Sequence, residues 1–146
     1  MRTEFAVLGV LAAGFFGFVL GRRKDDPSAA DVADASFFLT TPGSGNDDFC
    51  AGKILKKRLK GRVFHWARKG MGCEPASGSR FEIRLKPTVP PRPNPLIPPV
   101  PSGVNHILAD VQPWASAGVV YYYSLYQVLA DGTEKQLHDP ELEIGN

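Results

Sequence analysis

Residues 5–21, FAVLGVLAAGFFGFVLG, form an apolar run without a charged or strongly polar side chain. As a helix rising ~1.5 Å per residue, the run would extend about 25 Å. That is close to the roughly 30 Å hydrocarbon core of a bilayer, and flanking side chains can snorkel to cover the difference. Arg22, Arg23 and Lys24 follow at once, where a cleaved secretory signal would carry small residues. We therefore expect residues 1–24 to be a retained single-pass transmembrane anchor.

A small residue recurs at every fourth position of this run, at Gly9, Ala13, Gly17 and Gly21. Positions four apart lie in one row along a helix. Helices in lipid associate through close van der Waals packing, which such a row permits. The row predicts a helix-packing face. Its partner is either a second copy of this helix or a helix of another transmembrane subunit.

Charge and cysteine content point to opposite sides of an inner (plasma) membrane. Three basic residues follow the run, whereas only Arg2 and the terminal amine precede it, so the positive-inside rule favours a cytoplasmic soluble domain. The chain also has two cysteines, Cys50 and Cys73. On the periplasmic side they are candidates for a disulfide across neighbouring strands, and in the cytoplasm they would be separate buried apolar residues.

The segment after the anchor predicts a polar tether over residues 25–36, DDPSAADVADAS, and a domain over residues 37–146. About 110 residues suffice for one modest core. Gly and Pro account for 15 and 13 residues, a share that favours short strands and turns over helices.

Alternating apolar and charged side chains predict strands in this domain. Residues 80–86 alternate as a half-buried strand does. Residues 62–68 place Phe64 and Trp66 on one face, and we expect them to pair with the 80–86 strand.

The aromatic and β-branched run over residues 118–129 predicts a central strand, with Tyr121, Tyr122, Tyr123 and Tyr126 alternating between core and surface. Asp131-Gly132 predicts the turn that follows it. Further strands are expected at residues 37–41, 104–111 and 141–144, while residues 47–59 fit a short helix or a strand. Six or seven strands at these spacings predict a small antiparallel sandwich.

A proline-rich segment over residues 87–101 has eight prolines in fifteen positions. Without backbone donors it is expected to run as an extended connector outside the sheet ladders. Three uses remain open: a crossover packed on its own domain, an arm lying on a neighbouring subunit, or a ligand for an SH3-type groove. The residues assigned to a partner arm are Pro90, Pro91, Arg92, Pro93, Pro95, Pro98 and Pro99.

The alternation RVFHW at residues 62–66, the cysteine soon after it, and the closing segments GVVYYYS at 118–124 and DPELEI at 139–144 resemble small β-sandwich domains. The class is that of cupredoxin-like or immunoglobulin-like domains of membrane-anchored bacterial proteins, and the resemblance covers about residues 49–144. Blue-copper members hold their metal with two His, one Cys and usually an axial Met near the C-terminal hairpin. No cysteine follows Cys73, and Met71 is out of that order, so the resemblance implies no copper site.

The sequence contains no motif for redox, phosphate-binding or nucleophilic catalysis. The cysteines do not form a two-residue-spaced pair, and the chain has no glycine-rich phosphate loop and no nucleophile elbow. The three histidines, His65, His106 and His138, are isolated in the sequence. We therefore expect no enzyme activity, no cofactor and no metal.

A basic cluster is the strongest electrostatic feature of the domain, although the net charge is only +2. Near an anionic leaflet each such charge contributes roughly 1 kcal/mol of attraction. Anionic lipid, an acidic protein neighbour and a solvated face remain open, whereas nucleic acid is not expected because no interleaved aromatic platform is present. The cluster comprises Lys53, Lys56, Lys57, Arg58, Lys60 and Arg62.

Together these features predict a non-catalytic accessory subunit of a multisubunit membrane complex, respiratory, photosynthetic or secretory in kind. Its helix and β domain would stabilise assembly with other transmembrane subunits. The alternative is a free-standing envelope domain that binds a ligand or protein partner.

Overall fold

The computed structural model describes residues 31–41, 48–70, 72–74 and 76–146. The predicted anchor and its row of Gly9, Ala13, Gly17 and Gly21 lie outside the described residues. Among the residues that are described, no helix is both long and apolar enough to cross a bilayer.

Eleven strands occur in the described part of the chain. They are β1 (Val32–Thr40), β2 (Ala51–Ile54), β3 (Arg58–Gly61), β4 (Val63–Lys69), β5 (Arg80–Leu85), β6 (Leu96–Ile97), β7 (Ser102–Gly103), β8 (His106–Val111), β9 (Val120–Val128), β10 (Glu134–His138) and β11 (Glu141–Ile144).

The strands form two sheets. The five-stranded sheet has the order β2-β1-β4-β8-β6, and the six-stranded sheet has β3-β11-β9-β5-β7 with β10 paired to β9. β1 and β4 are parallel, as are β3 and β11, and the other pairs are antiparallel. The fold is mainly β, as predicted, but both sheets are mixed rather than antiparallel.

The core lies between the two sheets, as in a β-sandwich. Phe37 of β1 packs on Phe81 of β5 with ring centroids 5.3 Å apart, and Trp66 of β4 meets Tyr123 of β9 at 5.7 Å. All four side chains are fully buried. Removing such large apolar surfaces from water contributes on the order of 2–3 kcal/mol each.

Several sequence predictions are confirmed. β4, β5, β8, β9 and β11 lie where alternation predicts them, and β9 is central, between β11 and β5. Tyr121 and Tyr123 face the core and Tyr122 is exposed. The turn before β10 contains Gly132 with a φ of +87°, a conformation that glycine adopts without a Cβ clash.

Other predictions are wrong. β4 does not pair with β5: it lies between β1 and β8, while β5 pairs with β9 and β7. Across the core, β4 instead meets β9 through Trp66 and Tyr123, and β5 meets β1 through Phe81 and Phe37. β1 begins at Val32, inside the predicted tether, because Ala33 and Ala35 face the core. For residues 47–59, which fit a helix or a strand, the strand alternative is confirmed: β2 lies within them and β3 begins at Arg58.

The proline-rich segment contains an edge strand of one sheet and leads into an edge strand of the other, contrary to the prediction that it stays outside the ladders. Leu96 and Ile97 are not prolines, and they pair with Val111 and Asp110 as the edge strand β6. β7 then pairs with β5 at the edge of the other sheet. The segment therefore crosses from one sheet edge to the other, and short edge strands of this kind protect a sandwich from edge-to-edge association.

A disulfide joins Cys50 and Cys73, whose Cα atoms are 5.8 Å apart. It connects the residue before β2 to the loop after β4. The backbone N–H of Cys50 also donates to Oε1 of the buried Gln127 on β9, at 2.8 Å. At this end of the five-stranded sheet, the disulfide links two segments of the same sheet, and the Cys50–Gln127 hydrogen bond links it to the opposite sheet.

Candidate functional site on the outer face of the five-stranded sheet

The outer face of the six-stranded sheet carries a series of ion pairs, and it also exposes the ring of Tyr122. Glu82 is buried and accepts from Arg80 and Arg84, at 2.9 and 2.6 Å. Arg84 also binds Glu134 at 2.6 Å and lies 4.3 Å from the ring centroid of Tyr126. The hydrogen bond with Glu134 raises the pKa of Arg84 and lowers the pKa of Glu134.

The same pattern continues toward the edge of that sheet. Lys86 binds Asp139 at 2.7 Å, and Arg58 of β3 binds Glu141 of β11 at 2.7 Å. Paired charges of this kind keep a sheet face solvated while their mutual attraction contributes little to stability. This face therefore has the character of an ordinary water-facing surface.

The outer face of the five-stranded sheet differs, because it exposes large apolar side chains. Leu55, after β2, is 62% exposed, and Leu108, on β8, is 60% exposed. Val32 on β1 and Ile97 on β6 are also exposed. These four side chains are spread over the sheet, on β1, β6 and β8 and just after β2.

A chain of three polar side chains crosses the middle of this face. Asp34 on β1 is in register with His65 on β4, and His65 Nδ1 lies 2.9 Å from Asp34 Oδ1. His65 Nε2 lies 3.0 Å from Nδ1 of His106, one strand further on. The two imidazole rings are nearly parallel, with centroids 5.2 Å apart.

The carboxylate orients the proton on His65 in this Asp34–His65–His106 chain. A carboxylate can only accept, so Nδ1 of His65 is the donor to Asp34. In the tautomer with its single proton on Nδ1, His65 has a lone pair on Nε2, which accepts from the Nδ1–H of His106. A basic imidazole nitrogen is thereby held on the face by a hydrogen-bonded carboxylate.

A cavity of about 480 Å³ adjoins the chain. Ala67 is the residue in register with both Ser36 and His106, and its methyl group leaves the space above it unfilled. His65, Leu55, Lys56 and Lys69 stand around that space. The cavity offers apolar contact, hydrogen bonding and positive charge within one recess.

The predicted basic cluster is not gathered on one surface. Arg58 and Lys60 pair with Glu141 and Glu143 on the six-stranded sheet. Arg62 donates to the backbone carbonyls of Gln112, Ala115 and Gly145, so it is a structural residue. Lys53, Lys56 and Lys57 are exposed, and Lys53 lies on β2 of the other sheet.

The predicted partner arm is divided between core and surface. Pro95 is buried beside β6, whereas the other assigned residues, Pro90, Pro91, Arg92, Pro93, Pro98 and Pro99, are exposed. Asn94 shapes the bend, because its side chain donates to the carbonyl of Pro99 and accepts from the N–H of Leu96. Pro90 and Pro91 directly follow Val89, which is 99% exposed.

Sequence reasoning missed the pairing of His65 with His106. The two residues are 41 positions apart, and the only signal in the sequence is that each occupies an outward position of an alternating segment. Their proximity depends on the β4–β8 register, in which His106 is opposite Ala67. Within the described residues, no group of three His, Cys, Asp or Glu side chains is placed to hold a metal ion.

Compared with models of known protein families, with curated proteins and with solved structures, the chain matches none. The chain therefore shares with cupredoxin-like and immunoglobulin-like domains only the arrangement of strands in two packed sheets.

Proposed function

We propose that this chain is a non-catalytic, single-pass accessory subunit of a multisubunit membrane complex, and that the outer face of its five-stranded sheet binds a protein subunit of that complex. The observation that supports the proposal is the contrast between the two outer faces. One face neutralises its charges internally, while the other exposes Leu55 and Leu108 beside a polar chain and a cavity. Protein interfaces combine apolar area with a few hydrogen-bonding groups in this way.

The short tether supports a partner near the membrane. β1 begins at Val32, so seven residues, 25–31, separate it from the expected anchor. A chain extends at most ~3.6 Å per residue, which gives about 25 Å. The domain would thus be held within reach of the membrane-proximal parts of neighbouring subunits.

The disulfide favours the periplasmic side of the membrane over the cytoplasmic side. Cys50 and Cys73 have a Cα separation of 5.8 Å, inside the range that an unforced disulfide needs. Such bonds persist in oxidising compartments and are rare in the cytosol. We give this more weight than the positive-inside bias, which here rests on three basic residues. Thiol labelling of intact cells tests it: both cysteines should resist a maleimide until a reductant is added.

The partner face can be tested on the complex itself. Membranes are solubilised in mild detergent, and the chain is sized together with whatever migrates with it. Leu108→Lys should shift the chain toward its monomeric size, because a charge would be buried at the interface. The matched control is Tyr122→Lys, which alters an exposed apolar residue on the opposite face. Unchanged co-migration of the Leu108 variant, or a wild-type chain that migrates alone, would contradict the proposal.

The helix contribution is tested separately. Gly17→Leu inserts a bulky side chain into the predicted packing row and should reduce recovery of the complex. Ala12→Leu, which lies off that row, is the control. Equal recovery of both variants would show that the row does not mediate association.

The cavity of about 480 Å³ supports a second candidate function, a free-standing envelope domain that binds a small ligand. Its volume is within the usual range for ligand pockets. Sizing separates the two functions, since only the first requires co-migrating protein.

A further inference from the structure

The Asp34–His65–His106 chain has a geometry that structural stability does not require. His106 is exposed, and the side chains of Asp34 and His65 are 70% and 28% exposed. Hydrogen bonds at such positions exchange readily with water, so the chain contributes little to folding. Two imidazole nitrogens are nevertheless held 3.0 Å apart on adjacent strands.

That spacing suits two ligands of one metal ion. Imidazole nitrogens bind Zn²⁺ at ~2.0–2.1 Å in tetrahedral geometry, which places two neighbouring ligand atoms roughly 3.3 Å apart. A small rotation of the exposed His106 ring would turn the lone pair of its Nδ1 toward an ion bound to Nε2 of His65. His106 would then carry its proton on Nε2, which is unhindered because the side chain is exposed.

Asp34 provides the support that metal-bound histidines usually have. A ligating imidazole generally donates its second N–H to a carboxylate, which fixes the tautomer and increases the basicity of the ligating nitrogen. His65 donates its Nδ1–H to Asp34 at 2.9 Å, so its Nε2 is already in the ligating form. Without the carboxylate either nitrogen of His65 would carry the proton.

We propose that His65 Nε2 and His106 Nδ1 bind a divalent transition-metal ion of the class that prefers imidazole, Cu²⁺ or Zn²⁺, with Asp34 positioning His65. Two protein ligands and water complete the coordination, and the cavity beside His65 provides room for the water. The absence of a third convergent His, Cys, Asp or Glu among the described residues makes this an open, exchangeable site rather than a closed structural one. Cu²⁺ should bind more tightly than Zn²⁺, following the general order for nitrogen ligands.

The experiment uses the full chain in detergent micelles, prepared without a polyhistidine tag and with an acetylated N-terminus, so that neither contributes ligands. Titration calorimetry with Zn²⁺ alone and with Cu²⁺ alone should give one site per chain. His106→Ala, which alters an exposed side chain, should weaken binding at least 10-fold, and His65→Ala should do the same. Asp34→Asn should weaken binding about 10–100-fold, as expected for a supporting carboxylate.

His138→Ala is the matched control, because it removes the remaining histidine of the chain from β10 of the other sheet. It should leave affinity unchanged. Electron paramagnetic resonance of the Cu²⁺ form should show coupling to two nitrogens in the wild type and to fewer in His106→Ala. Equal affinity of wild type and His106→Ala, or the same loss in His138→Ala, would overturn the site and leave the two histidines as a hydrogen-bonded pair.

Discussion

Tyr123 shows how one residue joins the two sheets of the core. It is fully buried on β9, and its hydroxyl accepts the indole N–H of Trp66 on β4 at 2.9 Å. Burial raises the pKa of the Tyr123 phenol, because the charged phenolate would lose its hydration. Burial therefore keeps Tyr123 in its neutral form, and the phenol oxygen accepts the Trp66 N–H across the core.

Tyr123→Phe keeps the ring but leaves the Trp66 N–H buried without an acceptor. Such an orphaned donor costs about 1–3 kcal/mol, so the free energy of unfolding should fall by that amount. Urea denaturation monitored by tryptophan fluorescence measures it. Tyr122→Phe, on an exposed position of the same strand, should change stability by less than about 0.5 kcal/mol. Equal effects of the two changes would show that the hydroxyl of Tyr123 does not matter.

The raised pKa of Tyr123 also predicts a pH dependence. Above the ordinary tyrosine pKa of 10.0 the unfolded chain loses this proton while the folded chain keeps it. The unfolded state then binds fewer protons, so the free energy of unfolding falls as pH rises, by about 1.4 kcal/mol per unit. Stability from this group is complete at about pH 9 and decreases toward about pH 11. Since Tyr123→Phe lacks the group, its deficit relative to the wild type should shrink over that interval; a constant deficit would contradict the prediction.

Alternation predicted that Phe64 and Trp66 share one face of a strand and that the tyrosines of residues 121–126 alternate between core and surface, because successive side chains of a strand point to opposite faces. It gave no reason to place Gln127 inside. Gln127 is fully buried because its Oε1 accepts from the backbone of Cys50, 77 positions away. A partner that distant in the chain has no signature in the local pattern, and the same holds for His65 and His106.

At the scale of strands, the pattern of apolar residues predicted where most strands lie in the sequence, but not which strands pair with one another. β4 and β5 both alternate, and nothing in their sequences specifies that they belong to opposite sheets. The sequence predicts the first strand only from residue 37, because small residues such as Ala33 and Ala35 are typical of a tether. Both alanines instead lie on β1 and face the core. β6 was missed since a strand of two residues between prolines has no period.

The disulfide holds the loop after β4 against the start of β2. It closes a loop with a sequence separation of 23, and the chain-entropy model gives about 3 kcal/mol for a loop of that length. Replacing both cysteines by alanine should therefore lower the free energy of unfolding by about 3 kcal/mol. Adding a reductant should destabilise the wild type to a similar extent and leave the double variant unaffected. A wild type that does not respond to the reductant would refute this role.

The first and the last strand of the described domain both pair with the segment that contains β3 and β4. β1, the first described strand, pairs in parallel with β4, and the last strand, β11, pairs in parallel with β3. The backbone N–H of Arg62, between these strands, donates to the carbonyl of Asp31, and the N–H of Gly145 donates to Gly61. Both ends of the described domain are thus fixed to one place, a long-range arrangement that local sequence periods do not encode.

This closure predicts where the chain can be shortened. A chain of residues 31–146 keeps all of β1 and the Asp31 carbonyl, so it should unfold cooperatively at a melting temperature within about 4 °C of the full chain. A chain of residues 37–146 loses the part of β1 that pairs with residues 63–67 of β4, including Ala35, the β1 residue in register with the buried Trp66. We expect that shorter chain to lack a cooperative transition. Circular dichroism melting of the two chains decides it, and a cooperative 37–146 domain would mean that the fold does not need the parallel pairing of β1 with β4.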